Sequence, residues 1–464
     1  MAKPRPFILT PLIIACALFM ENLDSTIIAT SLPAIALDLG EDPISLKLAL
    51  TSYLLALAVF IPASGWAADR FGARTVFRAA IAVFTLGSIL CGLSSSLPEF
   101  IGARIIQGLG GAMMVPVGRL VLIRSVPRSE LVRALAYLTF PALIGPVLGP
   151  PVGGFITTYF HWRWIFWINV PIGVLGIVLA TLFIENVREP GTPRLDIKGF
   201  LLSGTGLSSV IFGLTIAGRS FLPVPAVVGL ILFGLVTLAL YVQHAKVAPH
   251  PVINLRLLAL PTFRASILGG FLFRIGIGSI PFLLPLMLQI GFGLNPFQSG
   301  SLTFAASAGA MLMKATAGPI LKRIGFRRVL VYNCLLSAGF LASYSLFTAQ
   351  TPHLLMLGLL LLGGFFRSLQ FTSLNAIAYA EMKDGLMSAA TSFSGVAQQL
   401  SLSVGVATGA AVVEAMRHYH GEKILTAGDF APAFLVVALI SATSVLFFRA
   451  LPENAGAELA GRKG

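Results

Sequence analysis

The sequence predicts an all-α polytopic membrane protein with fourteen transmembrane helices, and three observations carry that prediction. First, 56% of the 464 residues are hydrophobic and only 11% are charged, with a mean hydropathy of +0.89, whereas soluble domains are roughly 25% charged. Second, apolar runs of about 20 residues recur from end to end, each long enough to cross a hydrocarbon core of about 30 Å as a helix. Third, the net charge of +14 is distributed over short loops between those runs. That distribution is a positive-inside pattern and argues against a nucleic-acid footprint. Lipid is the expected solvent, and an ordinary soluble enzyme is excluded.

Marking the apolar runs and their polar breaks gives spans at 8–36, 45–68, 75–95, 98–122, 131–158, 162–184, 197–217, 222–243, 264–290, 296–320, 328–347, 353–378, 387–415 and 430–449. The first begins after Lys3 and Arg5 and reads as an uncleaved span, because its helical pattern continues past Cys16 to Thr30. With the N-terminus inside, the inner loops hold Arg70, Arg74, Arg124, Arg128, Arg188, Arg194, Lys246, Arg256, Lys322, Arg323, Arg327, Arg328 and Lys383. The outer loops hold only Lys47, Arg163, Arg219, Arg417 and Lys423. An even number of spans returns Arg462 and Lys463 to the inside, so both termini are expected to be cytoplasmic. Cys16, Cys91 and Cys334 lie within apolar runs without paired or metal-ligand spacing, which suits inert packing residues.

An internal repeat divides the chain. The loop after span two contains Gly65, Asp69, Arg70, Gly72 and Arg74; the loop after span ten contains Gly318, Lys322, Arg323, Gly325 and Arg327, with Gly, Arg, Gly and Arg in identical register. Spans one to six and nine to fourteen are then two halves, with spans seven and eight inserted between them. The expected units are an N-terminal bundle over 1–190, an inserted pair with its linkers over 191–250, and a C-terminal bundle over 251–464.

Four motifs place chemistry on this frame. In the span-two loop the glycines allow a tight turn while an acid beside arginines can exchange partners between states; the alternative is a solvated basic loop that only sets topology. Span four carries Arg104-x2-Gln107-Gly108, and an arginine inside a span must face protein or water and find an acceptor; a snorkelling arginine is the plain alternative. Span five carries Gly145-x3-Gly149-Pro150-x2-Gly153-Gly154, in which small residues four apart permit close helix approach and the prolines remove backbone donors. Span one carries Asp24 with Glu21 three residues earlier on nearly the same face. A carboxyl group taken out of water resists ionisation, and a nearby arginine restores its charged form. Asp24 is therefore either a proton site or a structural carboxylate held by an arginine.

Taken together these motifs resemble the fourteen-helix drug:proton antiporter branch of the major facilitator superfamily, the bacterial multidrug efflux transporters. The resemblance covers nearly the whole chain and implies the major facilitator fold in a 6+2+6 arrangement. It implies proton coupling at Asp24, Glu21 and Arg104, a gating loop at Gly65, Asp69, Arg70, Gly72 and Arg74, and an antiporter motif at Gly145, Gly149, Pro150, Gly153 and Gly154. Lys322 in place of an acid at the second loop leaves that latch weakened. Gln107, Arg274, Arg367 and Gln398 are candidates for a substrate cavity, with Arg274 expected to face Asp24 across the pseudo-symmetry axis and to pair with it. The stretch from His161 to Pro171, with three tryptophans, reads as an interfacial anchor without a substrate role.

The implied activity is proton-driven export of amphiphilic small molecules or drugs by alternating access, from a bacterial inner membrane. A dedicated exporter of one lipid, siderophore or metabolite stays open beside it, and uptake by symport is disfavoured by the span-five motif. The expected partners are protons, a small amphiphile and the bilayer, with no nucleic acid, and the expected state is a monomer. No cofactor or metal is expected: there is no phosphate loop, no clustered Ser/His/Asp set and no metal spacing, and His418 and His420 read as exposed outer-loop residues.

Overall fold

The computed structural model describes residues 9–125, 131–186, 188, 194–217, 222–382, 386–421 and 425–459. Arg128, Arg219, Lys383, Lys423, Arg462 and Lys463 lie outside the described residues, as does the side chain of Arg124.

Helices occupy all fourteen predicted spans. They are α1 (Leu9–Asp38), α2 (Pro43–Phe71), α3 (Ala73–Leu93), α4 (Leu97–Ser125), α5 (Leu131–Tyr159), α6 (Trp164–Phe183) and α7 (Ile197–Ile216). They continue with α8 (Val224–Val247), α9 (Pro261–Gly291), α10 (Pro296–Ile324), α11 (Phe326–Leu346), α12 (His353–Ile377), α13 (Met387–His420) and α14 (Ala427–Arg449). Among the described residues 13 of these are long and apolar enough to cross a membrane, and α5 fills the place of the fifth predicted span. Successive helices run in alternating directions. The ends that carry Arg70, Arg74, Lys322 and Arg327 form one face, called the basic face below, and Lys47 and Arg417 lie at the opposite face.

Packing repeats with an offset of eight helices. α3 packs on α4 as α11 packs on α12; α1 packs on α5 as α9 packs on α13; α3 and α1 each meet α6 as α11 and α9 each meet α14. The two halves then meet through a reciprocal pair of contacts, α5 against α10 and α13 against α2. The inserted helices α7 and α8 pack on each other, and α7 leans against α2 and α13.

The loop repeat has the same geometry in both copies. Gly72 closes α2 at φ +96° and Gly325 closes α10 at φ +89°, a backbone region that strains any residue with a Cβ. Their amides cap equivalent carbonyls, Ala68 and Leu321, at 2.9 Å. Arg74 then donates to the Ile184 carbonyl at the end of α6 (3.2 Å), and Arg327 donates to the Arg449 carbonyl at the end of α14 (3.1 Å) and to Glu453 (3.1 Å). So the arginine tie from the second helix loop to the sixth helix is present in both halves, although the acid is not.

Two long helices are irregular. α1 tightens into a 3-10 turn at Ile28–Ser31, just ahead of Pro33, whose missing N–H interrupts the α-helical ladder. α9 widens into π turns at Ala265–Gly269 and Met287–Gly291 on either side of Pro281 and Pro285. The tryptophan stretch is not a uniform interfacial anchor. Trp164 is exposed, but Trp162 is 3% exposed; its indole donates to Asp38 at 3.0 Å and it packs edge-on against Phe100 and Phe166.

Candidate functional site

Asp24 is the centre of a buried polar cluster inside the N-terminal half, at 1% exposure. Arg104 donates to its Oδ2 at 2.8 Å, and Gln107 and Asn169 each donate to its Oδ1 at 2.8 Å. Ser88 closes the cluster by accepting from Gln107 (2.7 Å) and Asn169 (3.1 Å). Four helices contribute: α1 brings Asp24, α3 brings Ser88, α4 brings Arg104 and Gln107, and α6 brings Asn169. The spacing of Arg104 and Gln107 puts both on one side of α4, so that Arg104 also donates to the Gln107 Oε1 at 2.5 Å.

Arg104 has partners besides Asp24 and Gln107. Its Nε donates to the Ala49 carbonyl (3.4 Å) and its guanidinium lies 4.2 Å above the centroid of the Tyr53 ring. An unpaired buried cation would cost several kcal/mol or more; here the ion pair, the amides and the ring share that task. A carboxylate with three charge-assisted or amide donors is held tightly in position.

Glu21 sits one turn along the same face of α1, at 8% exposure. Its carboxylate accepts from the Tyr53 hydroxyl at 3.4 Å, and it has no cationic partner within 4 Å among the described residues. Tyr53 therefore stands between the two carboxylates, with its ring under Arg104 and its hydroxyl on Glu21.

The glycine motif of α5 explains how this cluster meets the rest of the protein. A Cβ at Gly145 would touch the backbone of α1 at Phe19 and Leu23, and one at Gly149 or Gly153 would collide with Thr26 or with the Ile27 carbonyl. Those positions flank Asp24. Gly154 faces the other way: its Cβ would collide with the Pro296 carbonyl of α10, and a Cβ at Gly300 would collide with the Pro150 carbonyl. α5 runs through Pro150 and Pro151 as one helix, with one face on the helix of Asp24 and the other on the second half.

The two halves are sealed together at the face opposite the basic one. Lys47 of α2, wholly buried, pairs with Glu414 of α13 at 3.4 Å. Arg417 of α13 binds Asp42 in the α1–α2 connection and reaches Glu414 at 3.7 Å. Gln289 of α9 donates to the Thr30 carbonyl (2.9 Å), and the Phe297 amide of α10 donates to Thr158 (3.0 Å). Nearby, His420 contacts Asp429 at 2.8 Å and His418 contacts the Glu414 carbonyl of its own helix at 2.8 Å.

Several expected site residues fall elsewhere. Arg274 does not pair with Asp24, whose three donors all come from the N-terminal half; it donates to Asn375 at 3.2 Å and lies 5.5 Å from the Phe371 ring centroid. Its Nε and Nη1 are buried without a hydrogen-bond partner among the described residues. Gln107 is wholly buried and belongs to the Asp24 cluster, so it is no cavity wall. Arg367 is half-buried and lines, with Tyr344 and Ser337, a small cavity of about 20 Å³ between helices of the C-terminal half. Gln398 is half-buried on α13. In the loop expected to gate, a Cβ on Gly65 would meet open space and Arg70 is exposed, while Asp69 is half-buried and interacts with its surroundings.

Asn169 and Ser88 are the members that sequence reasoning missed. Asn169 lies near the end of the tryptophan stretch, in Trp167-Ile168-Asn169-Val170-Pro171, where an amide two residues before a proline reads as a helix start. The available signal was its place inside an apolar run, where a buried amide needs a partner.

Comparison with known proteins agrees with this architecture. The sequence model of the Major Facilitator Superfamily matches residues 14–406 and, in a second alignment, 266–464. A protein of Yersinia enterocolitica named "Putative multidrug resistance protein MdtD" is 39% identical over 446 residues, 96% of this chain and 95% of its own. A protein of the same name from Yersinia pestis strain Pestoides F is 39% identical over 448 residues, 96% of each chain. Among solved structures, a D-xylose-proton symporter superposes with a TM-score of 0.70 at 15% identity over 97% of this chain and 99% of its own. The nucleoside transporter NupG superposes with a TM-score of 0.64 at 14% identity, over 96% and 99%. At those identities the structures speak for the fold alone. On the sequence match along its length, this chain belongs to the major facilitator superfamily of membrane transporters.

Proposed function

We propose that the protein is a proton-driven antiporter that exports amphiphilic small molecules, drugs among them, from a bacterial cytoplasm across the inner membrane. The observation that carries this reading is the buried Asp24–Arg104 pair with Glu21 and Tyr53 beside it. The names of the curated relatives support a drug substrate.

In this mechanism the basic face is cytoplasmic, as the loop arginines suggest, and both termini lie there. Residues 1–190 and 251–464 rock as two bodies about the α5–α10 and α2–α13 contacts, with 191–250 as an inserted pair. The Lys47, Glu414, Arg417 and Asp42 network closes the external side. When the external side opens, a proton reaching Asp24 weakens its hold on Arg104. Glu21 exchanges its own proton without breaking that ion pair. The glycine face of α5 transmits the resulting shift of α1 to α10, and the gating loops fix the two bodies in each state. One proton moving down about 100 mV releases about 2.3 kcal/mol, a substrate gradient of nearly fiftyfold.

One observation favours a second reading, a dedicated exporter of one anionic or zwitterionic compound: among the described residues Arg274 keeps two buried nitrogens without hydrogen-bond partners. A carboxylate or phosphate on the substrate would satisfy them.

The deciding experiment measures proton movement in proteoliposomes with an imposed pH gradient, on addition of lipophilic cations, neutral drugs and anionic amphiphiles. Proton efflux evoked by several unrelated compounds and absent in Asp24→Asn supports the multidrug antiporter. A response to anions alone selects the dedicated exporter, and no coupled proton flux with any compound refutes proton antiport.

A further inference from the structure

We infer that the C-terminal half binds a small monovalent anion such as chloride in the cavity between Arg367, Tyr344 and Ser337. The cavity has a volume of about 20 Å³ and lies among α9, α11, α12 and α14. By the offset of eight helices, these are the counterparts of α1, α3, α4 and α6, the four helices that build the Asp24 cluster. The two sites also agree in depth. Ser88 and Leu341, which lines the cavity, stand equally far along their helices from the turn glycines Gly72 and Gly325.

The parts correspond, with one exception. α4 supplies Arg104 and α12 supplies Arg367; α3 supplies Ser88 and α11 supplies Ser337; α6 supplies Asn169 and α14 supplies Ser441. α1 supplies a carboxylate, whereas α9 lines the cavity with Phe273, Ile277 and Ile280. An arginine and hydroxyls therefore surround a place that a negative group takes in the first half, and here no side chain brings one.

That leaves a charge to be balanced. Arg367 makes no ion pair and no hydrogen bond with a described residue, and α9, α10, α11 and α12 contain no acidic residue. The acids of α13 and α14, Glu414 and Asp429, are held by Lys47 and His420 near the opposite face. A cation within a membrane span is costly unless an anion or water meets it.

The lining chemistry selects an acceptor. The Ser337 hydroxyl is buried without a hydrogen-bond partner among the described residues. Glycine at 363 makes room for the Tyr344 hydroxyl, since a Cβ there would stand 2.3 Å from it. Ser441 spends its proton on the Phe273 carbonyl (2.9 Å). A guanidinium and two hydroxyls can all donate, and the rest of the lining is apolar, which suits a weakly hydrated monatomic ion. The volume admits one such ion or one water and excludes a drug.

The site stands apart from the transport reading, and its test needs no transport. The full chain in detergent micelles is melted in sodium chloride and in sodium gluconate at equal ionic strength. Chloride should raise the melting temperature by a few degrees, saturably, and bromide should do the same. Crystals grown in bromide should show anomalous scattering between Arg367, Tyr344 and Ser337. Ser337→Ala should raise the half-saturating chloride concentration several-fold, and Arg367→Gln should remove the chloride dependence. Ile277→Asp, which returns a carboxylate from α9, should melt as high in gluconate as the native chain does in chloride. Equal melting of the native chain in the two salts makes the occupant water and overturns the proposal. A chloride effect that survives Arg367→Gln, or bromide density only elsewhere, overturns it as well.

Discussion

Replacing Asp24 by Asn separates the two roles a buried carboxylate can have. The substitution is isosteric, but an amide presents one acceptor and one donor where the carboxylate presents two acceptors. Its NH2 must therefore face either Arg104 or the amide donors of Gln107 and Asn169, all within 2.8 Å of the native oxygens. More costly is the guanidinium left behind: Arg104 is 1% exposed and loses its anion. Breaking one side of a buried pair costs about 3–5 kcal/mol, and each donor stranded in the cluster about 1–3 kcal/mol more. At about 4 kcal/mol the folded-to-unfolded ratio falls by about a thousandfold.

The double variant Asp24→Asn/Arg104→Gln removes both charges and should regain most of that stability, giving a coupling energy of a few kcal/mol in a double-mutant cycle. Unfolding measured by denaturant titration in mixed micelles gives the stability side, and a pH-sensitive dye inside proteoliposomes gives the transport side. The expected result is a stable double variant without substrate-evoked proton flux. Proton-coupled transport in the double variant would show that the pair is structural only. A single variant that loses less than about 1 kcal/mol, as exposed pairs do, would refute the buried-pair energetics.

Asn169→Leu removes a donor from Asp24 and from Ser88 and should destabilise by about 1–3 kcal/mol and slow proton-coupled transport, measured in the same liposomes; unchanged transport would remove Asn169 from the cluster. Glu414→Gln leaves wholly buried Lys47 beside a neutral partner and should open the face it seals. A cysteine at Thr158, in a chain with Cys16 replaced by Ser, should then react faster with an impermeant maleimide applied from that side, and an unchanged rate would show that the network does not gate. Gly154→Leu drives a side chain into the Pro296 carbonyl, so the folded protein should resist closing, with the same maleimide reaction accelerated and transport lost. Gly72→Ala adds strain at φ +96° and presses on Asn186; a cost of about 1–3 kcal/mol should appear as a lowered melting temperature, and no change would mean the turn relaxes freely.

The number, order and placement of the helices were legible in the sequence, since hydrocarbon penalises every unpaired backbone group and leaves long apolar helices as the solution. The repeat was legible too, because Gly72 and Gly325 occupy a backbone region that glycine alone enters without strain, and such a requirement leaves its mark at a fixed spacing. Asp24, Glu21 and Arg104 announced themselves as charges inside apolar runs, where a charge needs a reason to be present.

What the sequence left undecided was which groups meet. Pairing across helices depends on rotation and depth, which no single span encodes, and so Asp24 found Arg104 and Asn169 on its own side while Arg274, on the helix that repeats α1, turned to Asn375. The ionic seal had the same origin: Lys47 and Arg417 looked like loop charges of topology until packing of α2 on α13 removed Lys47 from water and set Glu414 beside it. The space between the inserted pair and α2 was invisible for a further reason. A cavity belongs to the space between helices, and Ser208 or Phe233 reads as an ordinary membrane residue until the inserted pair is docked and leaves room between itself and α2.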